Sequence, residues 1–215
     1  MSVNVEALIV ASIQESIQVK QALLEDKHLL SQIVEVAQEF VTALSSGHKI
    51  LFFGNGGSAA DAQHIAGEFV NRLGFDRPAL AAIALSTDSS VLTCVANDAC
   101  YEQVFSRQVE ALAKAGDVLV GLSTSGRSKN VAMALACARR SGVVTVGFTG
   151  RTGGRLLSPI CDHVVAVAAD DCVLIQEAHE FLWHRIVAAV EARLFGAVAP
   201  PDGDLQPASR PGGTA

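Results

Sequence analysis

Positive charge is scarce in this chain: 16 Lys and Arg stand against 22 Asp and Glu, for a formal net charge of −6. That balance argues against broad electrostatic binding to nucleic acid or to an anionic membrane. Any phosphate the protein recognises must be held locally, by backbone dipoles and hydroxyls. Long apolar runs are also missing, and none reaches the length that crosses a bilayer. The first residues show neither the basic segment nor the continuous apolar stretch of a secretory signal, so a cytoplasmic enzyme is expected. The five cysteines, Cys94, Cys100, Cys137, Cys161 and Cys172, are odd in number, scattered and without C-x-x-C spacing. They indicate neither a disulfide framework nor a cysteine zinc site, and most are expected as small core residues. Cys172 stands apart because it precedes a motif rich in chemistry. Aromatics make up only 5% of the chain, yet half of the 215 residues are hydrophobic, enough for one substantial core: one domain with additions.

Short apolar runs at Ile50 to Phe53, Leu80 to Leu85, Val118 to Leu122, Val143 to Phe148 and Val164 to Val167 read as strands. Helical patterns at Tyr101 to Lys114 and Asn130 to Ser141 lie between some of them, and a last helix is expected from Leu174 to Phe195, ending at Gly196. This alternation predicts an α/β fold with a doubly wound, five-stranded parallel sheet flanked by helices and ligands at the carboxyl ends of the strands. Two amphipathic helices, from about Val5 to Leu23 and Lys27 to Leu44, form an N-terminal extension over residues 1–46 of the kind that packs against another subunit. Residues 47–196 form the domain, and 197–215, rich in proline, glycine and small polar residues, are expected as a disordered tail.

After the first strand comes Gly54-Asn55-Gly56-Gly57-Ser58-Ala59-Ala60-Asp61-Ala62-Gln63-His64-Ile65-Ala66-Gly67-Glu68. The glycines allow positive φ and close approach of a ligand, and Ser58 is a candidate helix N-cap. A strand, glycine turn and helix aim free N–H groups and a positive helix end at one point, where an anion is stabilised. A plain glycine-rich βα turn has the same pattern. No lysine stands where a P-loop needs one, and Ala59 replaces the third glycine of G-x-G-x-x-G, which disfavours a nucleotide and favours a smaller phosphorylated ligand. His64 and Glu68, four residues apart on the helix, share one face and can bind a cation together. The bland alternative is an exposed i,i+4 pair worth a few tenths of a kcal/mol, roughly 0.2–0.5. The pair lies on the helix whose N-terminus would hold the phosphate, so the reactive carbons of a sugar phosphate would extend toward Glu68.

The third predicted strand leads into Ser123-Thr124-Ser125-Gly126-Arg127-Ser128-Lys129-Asn130, where four hydroxyls cluster before a helix. Capping accounts for one or two of them; all four suit a phosphate monoester. Asn97-Asp98 reads as a helix cap or as a pair that binds substrate hydroxyls. On the last helix Gln176 and His184 are eight residues apart, about 12 Å of rise. To meet one ion they must lean together, sit at a distorted helix start, or come from different subunits. Without such a meeting His184 reads as an interface or core histidine, as His179 does.

Taken in order and at these intervals, G-N-G-G-S-A-A-D-A-Q-H-x-A-x-E, N-D, S-T-S-G-x-S-x-N and I-Q-E-x-H with the later histidine make the chain resemble the sugar isomerase domain (SIS) family and, within it, the bacterial phosphoheptose isomerases. The resemblance spans almost everything before the tail. It implies substrate contacts from Asn55, Gly56, Gly57 and Ser58, hydroxyl binding by Asn97 and Asp98, and a phosphate loop of Ser123, Thr124, Ser125 and Ser128. His64, Glu68, Gln176 and His184 correspond to ligands of one zinc ion per subunit; Glu68 and His184 also serve as acid and base, and Glu68 and Gln176 face substrate. The implied reaction converts sedoheptulose 7-phosphate to D-glycero-D-manno-heptose 7-phosphate through an enediol, the first step toward nucleotide-activated heptose, in a homotetramer with shared sites. The hydroxyl-rich loop then takes over the phosphate from the glycine turn, which becomes a wall beside it. Asp171-Cys172-Val173-Leu174 departs from the more polar residues common among relatives. Family members that bind a protein or sense a sugar phosphate without catalysis are the competing expectation, as is an isomerase of another sugar phosphate; His64, Glu68, Gln176 and His184 together favour an enzyme over a scaffold, and another sugar phosphate would share the mechanism.

Overall fold

A computed structural model describes residues 3–196, so the expected tail at 197–215 lies outside the described residues. The chain opens on two long helices. Asn4 caps α1 (Val5–Glu25) by accepting from the Ala7 N–H, and Asp26 closes α1 and caps α2 (Lys27–Ser45) by accepting from the Leu29 N–H. Then follow β1 (Ile50–Gly54), α3 (Gly57–Val70), β2 (Ala82–Ala84), α4 (Ser89–Asp98), a 3₁₀ turn (Tyr101–Gln103), α5 (Ser106–Leu112), β3 (Val118–Leu122), α6 (Lys129–Arg139), β4 (Val144–Gly150), α7 (Arg151–Leu157), β5 (His163–Val167) and α8 (Cys172–Phe195).

The five strands form one parallel sheet in the order β2-β1-β3-β4-β5, with Phe52 level with Ala84 on one side and Val120 on the other. Every residue of β1 and β3 is buried, as a strand covered on both faces requires. Successive side chains feed opposite cores. Ile50, Phe52, Val118 and Val120 join Phe40 of α2, Phe69 of α3 and Trp183 of α8, whereas Leu51, Phe53 and Leu119 join Phe105, Val109 of α5 and Leu135 of α6. Trp183 stacks on Phe148 with ring centroids 3.9 Å apart and meets Phe52 edge-on, which seats α8 firmly on the sheet.

From β1 the chain winds one way to β2 and the other way through β3, β4 and β5. The crevice outside the carboxyl ends of β1 and β3 is therefore the topological switch point, where open α/β sheets bind ligands. Some expected elements are corrected. The expected helix at Tyr101 to Lys114 is split into a 3₁₀ turn and α5, and α4 and α7 were not anticipated. Of the cysteines only Cys137 and Cys161 are buried; Cys94 and Cys172 are exposed. No described helix is long and apolar enough to cross a membrane.

Candidate active site

Two loops flank the switch point. In the first, Gly56 adopts φ +57° at the start of α3, and a side chain on Gly57 would collide with the carboxamide of Gln176 from α8. Ser58 is not the N-cap: Gly56 holds that place, and Ser58 is buried within the first turn of α3. In the second, the Ser123 hydroxyl donates to Ser128 Oγ at 3.1 Å, and Ser125 Oγ accepts from the Arg127 N–H at 3.2 Å. Ser128 occupies the N-cap position of α6 without a side-chain capping bond. Side chains cap α1, α2, α4 and α8 but not α3, α5, α6 or α7. In α3 the Ser58, Ala59 and Ala60 N–H groups donate to the carbonyls of Asn55 and Gly56, and in α6 the Val131 N–H donates to Asn130 Oδ1, which leaves the N–H groups of Gly57, Lys129 and Asn130 for an anion at the crevice. Asn55 and Asn130 join the two loops through a pair of amide bonds at 2.9 and 2.8 Å. Asn97 and Asp98 are exposed in the last turn of α4, where the Asn97 amide donates to Asp98 at 2.8 Å. They do not cap a following helix, and α4 takes its cap from Asp88.

Further along α3, about 10 and about 16 Å from Gly57 at 1.5 Å per residue, His64 and Glu68 face α8. His64 Nε2 lies 3.1 Å from His184 Nε2 and 3.4 Å from Glu68 Oε1, and one ligand atom from each of the three falls within 4.8 Å of the others. Two imidazoles and a carboxylate, partly open to solvent, are a donor set suited to zinc with a position left for another ligand. The expectation that His184 belongs with His64 and Glu68 thus has a geometric basis within one chain. Gln176, two turns earlier on α8, lies elsewhere: its Nε2 donates to Asp61 Oδ2 at 3.3 Å. Cys172 Sγ sits 3.4 Å from Thr124 Oγ1 and 3.9 Å from Gln176 Oε1, at the edge between the hydroxyl loop and α8. His179 is fully buried, with Nε2 3.2 Å from the Thr149 carbonyl, and burial drives its imidazole down to about 4; it is a core histidine.

Several participants escaped sequence reasoning. Asp61 precedes His64 by one turn, and burial raises its carboxyl to about 6, the Gln176 bond opposing that rise and Glu180 adding to it. Arg77 is buried with Glu191 of α8, Nε to Oε1 at 2.7 Å, and its Nη atoms donate to the carbonyls of Glu68 and Phe69 at 2.8 and 2.9 Å. Glu191 also accepts from the Leu73 and Gly74 N–H groups. The end of α3 that carries Glu68 is thereby clasped to α8, seven residues beyond His184. No spacing motif announces either group; only the i−3 position of Asp61 relative to His64 was legible.

The SIS domain family model matches residues 13–150. Phosphoheptose isomerase of Aneurinibacillus thermoaerophilus is 49% identical over 183 residues, 85% of this chain and 92% of that protein. The chain belongs to the phosphoheptose isomerase family. Among solved structures of this family, phosphoheptose isomerase from Neisseria gonorrhoeae superimposes with a TM-score of 0.81 at 39% identity, covering 88% of this chain and 100% of its own. That from Francisella tularensis gives 0.82 at 32% identity, over 87% and 98%. The family's fold therefore includes the helices α1 and α2 as well as the sheet.

Proposed function

We propose that the protein interconverts sedoheptulose 7-phosphate and D-glycero-D-manno-heptose 7-phosphate, in the cytoplasm, as the entry to activated heptose. The observation that carries this reading is the convergence of His64 and Glu68 of α3, the helix that opens at the glycine turn of the crevice, with His184 of α8. The phosphate is held by Ser123, Thr124, Ser125 and Ser128 with the free N–H groups of α6. Asn55, Gly56, Gly57 and Ser58 wall the sugar, and Asn97 and Asp98 take its hydroxyls. His64, Glu68 and His184 would hold one zinc ion, with Gln176 turned toward it as a further ligand. When bound, zinc supplies polarisation of the substrate carbonyl.

Isomerisation of a ketose requires loss of a proton from C1, gain of one at the C2 oxygen to give the enediol, then removal of the O1 proton and delivery of one to C2. Glu68 takes the C1 proton and returns it at C2, and His184 moves the proton between the oxygens. A carboxylate that shares its charge with a metal is a weaker base, so Glu68 must leave one role to perform the other. The apolar residues Val5, Leu8, Ile9, Ile13 and Ile17 of α1 are exposed on the single chain, which supports burial of that helix in a homo-oligomer, with a tetramer as the expected state.

The test is turnover of sedoheptulose 7-phosphate by purified protein, followed by NMR before and after chelation and zinc addition, with light scattering for the oligomer. Zinc-restored formation of the heptose 7-phosphate is expected. A folded protein that binds the sugar phosphate without turnover would instead be a sensing or partner-binding member of the family.

A further inference from the structure

Three segments that carry the proposed substrate groups meet on one side chain, that of Asn55. Its Nδ2 donates to Asn130 Oδ1 at 2.9 Å, Asn130 Nδ2 donates back to Asn55 Oδ1 at 2.8 Å, and the Tyr101 hydroxyl donates to the same Asn55 oxygen at 3.0 Å. Asn55 belongs to the loop after β1, Asn130 to the first turn of α6, and Tyr101 to the 3₁₀ turn shortly past Asp98. A ring of two amides is by itself indifferent to polarity, because flipping both restores both bonds. Here the Val131 N–H donates to Asn130 Oδ1 at 2.9 Å and breaks the tie. With an oxygen fixed there, Asn130 must turn its amide nitrogen to Asn55, whose own oxygen is then shared by two donors. Both lone pairs of Asn55 Oδ1 are occupied, and one Nδ2 hydrogen is left. A cavity of about 380 Å³ lined by Asn55, Tyr101, Glu102, Ser128, Lys129 and Asn130 opens beside this hub.

We infer that Tyr101 and Asn130 are positioning residues that hold Asn55 as a hydrogen-bond donor, so that the substrate meets it with an acceptor oxygen. The inference rests on the sugar-phosphate reading above. Tyr101 is more than half exposed, so loss of its hydroxyl leaves the core intact.

The test compares the zinc-loaded full chain with Tyr101→Phe and Asn130→Asp in turnover of sedoheptulose 7-phosphate from pH 5 to 8. In Tyr101→Phe, KM rises about fivefold, the worth of one neutral hydrogen bond, while kcat stays within about twofold. In Asn130→Asp the ionised carboxylate faces the Asn55 oxygen, and KM rises about tenfold or more at pH 8. The deficit narrows toward pH 5, where a protonated carboxyl donates again. Glu102 and Lys129 are common to both proteins and cancel in the ratio. A purely structural role would lower the melting temperature and the active fraction without a pH-dependent change in KM. Unchanged KM in both variants, or a deficit that ignores pH, overturns the inference. Spectra of protein labelled with ¹⁵N-asparagine, without substrate, separate this from the functional reading: slow exchange of the Asn55 and Asn130 amide protons, with the Asn55 pair shifted in Tyr101→Phe, supports the hub. Exchange as fast as in solvent-exposed asparagines overturns it, whereas an intact hub in a wild-type protein without turnover overturns the isomerase reading alone.

Discussion

The Nε2 atoms of His64 and His184 lie 3.1 Å apart across 120 residues of sequence. Lone pairs at that separation repel unless a proton or a cation lies between them. Since Glu68 Oε1 approaches the same His64 nitrogen, the protein is expected to bind zinc with a stoichiometry of one per chain. Loss of a ligand costs more than the roughly 10–100-fold lost with an outer-shell partner. Titration of chelated protein with zinc should therefore show His64→Ala and His184→Ala weakened by more than about 100-fold, with folding unchanged. Native-like zinc affinity in either variant would place the metal elsewhere.

Glu68→Gln keeps the size of the side chain and removes its basicity. Removal of a positioned general base costs about 10²–10⁴-fold in rate, so kcat should fall in that range or below detection while the sugar phosphate still binds. Product formation at a tenth of the native rate or better would exclude Glu68 as the base. Because the substitution also weakens the metal site, the assay belongs at saturating zinc, with bound metal measured in the same sample.

The sheet and most of its helices were legible because strands buried on both faces leave continuous apolar runs, as in Ile50 to Phe53 and Val118 to Leu122. α4 was missed because it is short and only half-buried: Leu92, Val95 and Ala96 pack against the core beside Phe105 and Leu135, but a run as brief as Val91 to Ala96 does not tell a helix from a strand. α7 was hidden by Gly153 and Gly154, which read as a loop; any side chain on Gly153 would strike Thr149 and the backbone of Gly126. For the site, i,i+4 spacing put His64 and Glu68 together, but nothing in the spacing of α8 places His184 against α3. That depends on the seating of Trp183 against Phe40, Phe52 and Phe148. Asp61, Tyr101, Asn130 and the Arg77–Glu191 clasp act through long-range contacts, which no local pattern encodes.

The clasp should be costly to break. Arg77→Met leaves the buried Glu191 carboxylate without its cation, and breaking one side of such a pair costs about 3–5 kcal/mol. Denaturation in urea should register that loss. The double variant Arg77→Met with Glu191→Leu should recover only part of it: no buried charge is left unpaired, but the Leu73 and Gly74 N–H groups lose their acceptor and the Glu68 and Phe69 carbonyls their donor. Burial pushes the Glu191 carboxyl up, but bonds from Leu73, Arg77 and Gly74 prevail and hold it below the usual range. A depressed carboxylate stabilises the fold above its unfolded pKa, near 4.3, and that stability disappears as pH falls through the folded value. A wild-type protein no more stable than Arg77→Met at pH 7 would show that the pair contributes nothing.

His179 makes a separate acid-sensitive contribution, in a different window. Burial holds its imidazole near 4 instead of the ordinary 6.5, so the unfolded chain takes up a proton that the folded chain refuses. Stability from this residue is complete above about 6.5 and declines as pH falls toward 4, by about 3 kcal/mol in all at 1.36 kcal/mol per unit. His179→Gln retains an N–H donor for the Thr149 carbonyl and has no titration. With zinc removed by chelator from both proteins, so that metal release does not enter, urea unfolding between pH 7 and 4 should fall more steeply for the wild type. Parallel pH dependences would mean that the protons which destabilise this fold in acid are bound by other groups, since the Gln variant has lost only this one.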